Sequence, residues 1–477
     1  MISFQINLKK LFLFSLLIIP EAFAHSIDER YDLPLPLHLF ILGSGAIVFF
    51  SFLAVFLIFT KFNSVLNYPK VILNNLHQKN IIRCLKFCMQ SISVLMFFVV
   101  LESCFLGNPN PLDNLAPNFI WITWWLGFSL LIAFLGNFWP LINPWVIIFQ
   151  CIEKLFFSNR KVVISSTHFL PKSIHIATFF LLLWSWLELI YPIAFIPHQI
   201  GFLIIIWSLL SFVCMYLFGV SNWQNQIDFF SIYFSLLGKF GLFQYDAKKG
   251  DLLFRPFGFE LTEVHQNNQI PIGLSAFIIA MLSTVLFDGL HGNQIWNEFE
   301  TLIESNFPYL IDTNRYFIGT VSLLATWLIF FSIYQASCWI GCKFCSSLST
   351  NRLSDLLAPS LIPIAIAYLV AHNFSSFIIQ AQNIIYLISD PFHLGWNIFG
   401  TKEFRPNIAI LDAGLIWYLA LFSIVIGHIL AIVISHFILL KITRTKREML
   451  YLSLPITLIM VLLTMMSLII IAEPMTN

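Results

Sequence analysis

Long apolar runs separated by short polar segments organise the chain, and the length of each run is the informative quantity. Apolar stretches cover 37–59, 87–106, 119–138, 174–196, 200–220, 271–290, 316–337, 356–388, 409–440 and 450–471. Each carries about the 20 residues a helix needs to cross a hydrocarbon core about 30 Å thick. Backbone groups in lipid must find partners within their own segment, so continuous runs of this length predict helices rather than a barrel. The expected fold class is therefore all-α, a polytopic transmembrane helical bundle of about ten spans. One shorter run behaves differently. Lys9-Lys10, an apolar stretch from Leu11 to Ile19, Pro20 and Ala22-Phe23-Ala24 together read as a cleavable signal peptide over 1–24, with 25–477 as a single membrane domain.

Composition agrees with the pattern and narrows it. Hydrophobic residues make up 58% of the 477 and charged residues 10%, against about 25% charged in ordinary soluble domains. With 25 Lys and Arg against 24 Asp and Glu there is no basic excess, which argues against nucleic acid as a partner. The expected partners are the lipid bilayer and a small-molecule substrate. Cation placement then orients the chain. If the mature N-terminus lies outside and ten spans alternate, nineteen of the 25 Lys and Arg residues fall in inner loops, from Lys61 to Arg447. Only Arg30, Arg315, Lys402 and Arg405 fall outside, the asymmetry expected of a bacterial cytoplasmic (inner) membrane protein with both mature termini on the periplasmic side.

Departures from the plain span pattern mark the places worth watching. The longest polar interruption is 221–270, and within it 227–243 is apolar enough to lie along the inner membrane surface as a helix. Pro140 and Pro144 break the chain after Trp139, Pro192 and Pro197 end the fourth span, and Pro359 and Pro363 fall near the start of the eighth. Proline at membrane depth frees carbonyls, so such breaks line cavities or serve as packing kinks. The eighth and ninth spans are long enough to tilt, kink or project beyond the bilayer.

Ionisable residues inside spans are costly and are functional candidates for that reason. They are Glu102, Glu188, Asp288, His372, Asp412, His428 and His436. Asp288 with His291, and Asp390 with His393, are spaced i, i+3 as local acid–imidazole pairs, in which a carboxylate fixes the tautomer and frees the other ring nitrogen. Imidazoles and carboxylates accumulate on the expected outer side. Asp288, His372, Asp390, His428, His436 and His25 are accordingly the candidate ligands for a divalent transition metal such as Zn, Cu or Fe. The alternative is that interfacial histidines bond locally and that Asp288 and Asp390 cap turns. Glu102 and Glu188 are candidates for substrate binding or proton relay in a transporter. A bis-histidine haem across His372 and His428 is allowed by residue type alone. Cys84, Cys88, Cys338, Cys342 and Cys345 gather at inner span ends, where they read as small apolar packing residues or as a soft-metal site. The chain has no G-x-S-x-G, H-E-x-x-H, Gly-rich phosphate loop or C-x-x-C-H, so nucleophile, zincin, nucleotide and c-type haem readings lose support.

Several short motifs, taken in order, carry a family resemblance. They are His25–Leu37, Asn143-Pro144-Trp145, Phe287-Asp288-Gly289, Pro363–His372, Ser389–Gly400, and Gly427-His428 followed by Ser435-His436. In this order they resemble bacterial multi-pass membrane proteins named as fenitrothion hydrolases or hydrolase-like proteins. The resemblance implies a membrane-bound activity on an organophosphorus triester, with an outward-facing site at the quoted positions. It departs at Ala371-His372-Asn373 and Ser435-His436. Three functions are thus expected in outline: a metal-assisted hydrolase, a transporter or permease, and a copper- or haem-linked accessory subunit.

Overall fold

A computed structural model describes residues 34–59, 71–73, 80–156, 173–246, 251–263, 270–291, 293–309, 316–344 and 348–472. The expected signal peptide, His25 and Cys345 lie outside the described residues. In chain order the principal helices are α1 (Leu37–Ile58), α2 (Asn80–Leu106), α3 (Leu115–Leu135), α4 (Pro144–Phe156), α5 (His175–Leu189), α6 (Pro197–Phe218) and α7 (Phe229–Gly238). They continue as α8 (Leu274–His291), α9 (Gln294–Asn306), α10 (Tyr316–Phe344), α11 (Thr350–Leu387), α12 (Ala413–Ile442) and α13 (Lys446–Ala472). Among the described residues nine of these, all except α4, α5, α7 and α9, are long and apolar enough to cross a membrane. The protein is an all-α, multi-pass membrane bundle.

Contacts between span ends define two poles, with the start of α1 marking the upper one. At the upper pole Asn118 Nδ2 donates to Gln380 O at 2.9 Å, and Trp186 Nε1 donates to Thr320 Oγ1 at 2.7 Å. At the lower pole Lys441 Nζ donates to Thr262 O at 2.7 Å, and Ile174 N donates to Ile272 O at 3.0 Å. Helix α5 has only 15 residues, yet Ile174 before it and Trp186 near its end touch opposite poles. It therefore runs from one pole to the other, its brevity made up by the turns that follow Leu189. Helices α8 and α11 are buried on most sides, while α2 and α10 turn broad apolar faces outward to lipid.

Two segments enter the bundle without crossing it. Ser93 Oγ, midway along α2, donates to Ile142 O, so the break at Asn143-Pro144 lies at mid-depth. Proline suits this first helical position because its missing N–H has no acceptor there, and Asn143 Oδ1 accepts from Val146 N. Helix α4 then descends beside α6, with Trp145 Nε1 donating to Ser208 Oγ and Phe149 stacked on Phe212. Helix α7 does likewise. Asp228 caps it by accepting from Phe230 N, the Phe230 ring meets Trp207 midway along α6, and Gly238 ends it against Asn137. The sequence suggested a surface helix over 227–243, and the structure corrects this. Phe229, Phe230, Tyr233 and Phe234 form one aromatic face of the helix, and all four are buried against neighbouring helices rather than turned to lipid.

The lower pole is closed by a small antiparallel sheet, β1 (Val71–Leu73), β2 (Phe243–Asp246) and β3 (Asp251–Phe254), with β3 in the middle. Buried Arg255 organises this corner. It donates to Gly238 O, Gly241 O and Gln244 Oε1 and forms an ion pair with Glu260. Gly136, at φ 123°, ends α3 where an added Cβ would strike Phe243 O at 1.9 Å, so only glycine fits the approach. Asp355 of α11 caps α8 from outside, accepting from Gly273 N, Ser275 N and Ser275 Oγ.

Candidate functional site

An unusual helix lies between two cavities. Residues Asn118–Phe128 of α3 are wound as a π-helix, a rare form found disproportionately at functional sites. Trp124 of this stretch lines one cavity, Trp125 the other, and Trp121 both.

On one side is a polar cavity of about 270 Å³ in the upper half of the bundle. Trp121 and Trp125 of α3, Glu188 of α5, Tyr233 of α7, Asp288 of α8 and Gln380 of α11 all line it. Gln380 is exposed at the upper pole, so the cavity reaches that end. Its remaining polar lining comes from hydroxyls and amides, including Thr284, Asn373 and Ser376. Trp125 Nε1 donates to Glu188 Oε2 at 3.0 Å and fixes that carboxylate against the wall. Asp288 Oδ2 lies 3.0 Å from His372 Nε2, an acid–imidazole pair between α8 and α11 with side-chain exposures of 33% and 13%. With Nε2–H donating to Asp288, Nδ1 of His372 is left to take or give a proton. Gly289 packs beside this ring and closely against Ile470, whose Cγ2 would lie 3.1 Å from an added Cβ.

On the other side is an apolar cavity of about 370 Å³. Its walls include Trp124, Trp139, Trp145, Trp207 and Phe230, with no Asp, Glu, Lys, Arg or His among them. The mid-depth starts of α4 and α7 both contribute here, through Pro144, Trp145 and Phe230.

The structure pairs Asp288 with His372, sets Glu188 on the same cavity wall as Asp288, and distributes the other residues singled out in the sequence. His291 packs its ring on Phe287 and Trp296, with centroids 5.6 and 5.0 Å away, while Asp288 bonds to His372. Asp390 accepts from Leu394 N and Gly395 N, both at 2.8 Å, closing a turn in which His393 adopts φ 56°. Asp412 caps α12 by accepting from Leu415 N at 3.1 Å. His428 Nδ1 bonds to Ile424 O within its own helix, and His436 Nε2 to Phe59 O at the end of α1. Glu102 is exposed. Among the described residues no three His, Cys, Asp or Glu side chains stand together as metal ligands. Cys84 and Cys88 are exposed on α2, and Cys338 is buried in α10.

Sequence reasoning did not find Tyr233 or the role of Trp125. The available signal was the W-x-x-W-W spacing at Trp121, Trp124 and Trp125. No known protein family, curated protein or solved structure matches this chain.

Proposed function

We propose that the protein moves a small solute across the bacterial cytoplasmic membrane in exchange for protons, using the Glu188–Asp288–His372 cluster. One observation carries this reading: two carboxylates from separate helices line a single polar cavity, one of them holding an imidazole. Glu188 on the same wall and the Asp288–His372 pair together hold protons in more than one arrangement, the minimum equipment of a relay. The broken segments before α4 and α7 support the same reading, because discontinuous helices starting at mid-depth are a common feature of solute carriers. The positive-inside pattern supports a cavity mouth on the periplasmic side. In liposomes containing a pH-sensitive dye, a solute gradient should drive proton flux through the wild-type protein but not through His372→Ala. Equal flux in both would end this reading.

A second reading is favoured by where two resemblance motifs meet. Phe287-Asp288-Gly289 and Pro363–His372 lie far apart in the chain and touch at the Asp288–His372 pair. There the pair acts as a general base on a phosphotriester: Asp288 holds Nε2–H while Nδ1 takes a proton from water as its oxygen bonds to phosphorus. The P–O ester bond to the leaving group breaks, and the released oxyanion takes a proton back from the imidazolium or from water. Among the described residues no third His, Cys, Asp or Glu side chain joins this pair as a metal ligand, so the step is written with the pair and water alone. Phosphotriester turnover that resists chelators and disappears in His372→Ala would select it over transport.

A further inference from the structure

The walls of the polar cavity specify more than protons. Two carboxylates line it, Glu188 and Asp288, and neither Lys nor Arg does. The imidazole in contact with this lining, His372, is already engaged by Asp288. Full ionisation therefore leaves an uncompensated negative charge beside Glu188, at a depth where an unpaired charge is costly. Either a proton or a cation must balance it.

The rest of the lining selects among cations. A bare metal ion needs a shell of converging oxygen ligands. Here much of the wall around Glu188 is aromatic: Trp121, Trp125, Tyr233 and Phe195. Trp125 and Tyr233 lie against each other, with centroids 4.7 Å apart and planes 31° apart, while the Trp125 indole also holds the carboxylate. Aromatic rings beside a carboxylate form the chemistry that recognises ammonium groups, which combine positive charge with a weakly hydrated apolar surface. The volume of about 270 Å³ admits an organic ion of several carbons rather than a large lipid.

We infer that the cavity between α3, α5, α7, α8 and α11 binds a small organic ammonium cation, with Glu188 as its counter-charge. The inference rests on the reading of this cavity as the solute site and names the solute class. Cation and proton compete for the same carboxylates, which supplies the coupling. The titratable groups involved are Glu188 on α5, Tyr233 on α7, Asp288 on α8 and His372 on α11; α3 contributes only indoles to the wall.

Equilibrium titration of the purified full chain in detergent, followed by calorimetry and tryptophan fluorescence, tests it. The probes are choline and its neutral carbon analogue 3,3-dimethylbutan-1-ol. Choline is expected to bind at least about tenfold more tightly than the alcohol, and Glu188→Gln to remove that preference. Trp121→Leu, which keeps both carboxylates, should weaken choline by several fold and leave the alcohol unchanged. Equal affinity for the two probes, displacement of choline by sodium at similar concentration, or unaltered choline binding in a folded Glu188→Gln would each overturn the inference. If Glu188→Gln fails to fold, Trp121→Leu decides by the same criterion. Binding at equilibrium needs no gradient, so choline selectivity without proton flux would remove the transport reading alone, and flux without choline selectivity would remove only this one.

Discussion

The two cavities flanking the π-helical stretch of α3 share a wall and much of their chemistry. Both are lined by Trp121, both take rings from neighbouring helices, and each receives a residue from the half-helix α7, Phe230 in one and Tyr233 in the other. What separates them is two carboxylates and a few hydroxyls and amides. An enclosed space walled by carbon has little to offer water, whereas one with several polar partners holds it. Aromatic walls alone therefore do not identify a functional site in a membrane bundle. Fixed charge on such a wall does, because lipid-embedded protein keeps it only where something offsets its cost.

This contrast makes the two cavities separable by mutation, and the largest effect should come from the polar one. Asp288→Asn keeps the shape of the side chain and removes the charge that holds His372 Nε2–H. Proton flux should fall on the order of 100-fold, the usual scale for losing a positioned proton-transfer group. Retained expression and an unchanged melting temperature would assign the loss to function. Flux within threefold of wild type would erase the distinction between the cavities.

The apolar cavity should respond in the opposite sense. Phe230 is 3% exposed and meets the rings of Trp124, Trp145, Trp184 and Trp207. Phe230→Ala should cost about 3–5 kcal/mol of stability, the scale for deleting a buried ring, read as a fall in the detergent melting temperature. The folded fraction should still bind choline as wild type does. Lost choline affinity at intact stability would mean the two spaces act as one.

How much of this the sequence disclosed depends on the range of the interaction. Span positions were legible because hydrophobic length is a local property, and the break at Pro140 and Pro144 was legible because proline acts on its own turn. The cost of intramembrane charge singled out Glu188, Asp288 and His372 one by one. Their assembly was not legible. The i, i+3 spacing suggested His291 as the partner of Asp288, but His291 gains more from the faces of Phe287 and Trp296, and the packing of α8 on α11 delivers His372 instead. The apolar segment at 227–243 was misjudged for a related reason. Four rings on one face of a short helix can be read as a surface anchor or as a buried plug, and only the neighbouring tryptophans decide between them.

A finer test of the comparison sits at Trp125, the residue that turns its indole toward the charged wall. Trp125→Phe removes the 3.0 Å bond to Glu188 Oε2 and leaves most of the ring in place. A hydrogen bond to a charged group is worth about 1.5–3 kcal/mol, so choline affinity should drop by roughly ten- to a hundredfold if the indole fixes the carboxylate for binding. A change below twofold would mean that Glu188 holds its position without help.

The smallest effect is expected outside both cavities, at a histidine the sequence had grouped with the functional set. His436 Nε2 bonds to Phe59 O, and its ring packs against Phe56 and Phe437, tying α12 to the lower end of α1. This is a fastening between helices, far along α12 from the upper pole that the polar cavity reaches. His436→Leu should therefore lower stability by about 1 kcal/mol, the net worth of one hydrogen bond, offset in part by the apolar replacement. Proton flux and choline affinity should both stay within twofold. A large loss of flux at unchanged stability would mean that the proton path extends past the Glu188–Asp288–His372 cluster and down the bundle to α12. The charged cavity would then be the mouth of a longer route rather than the whole of it.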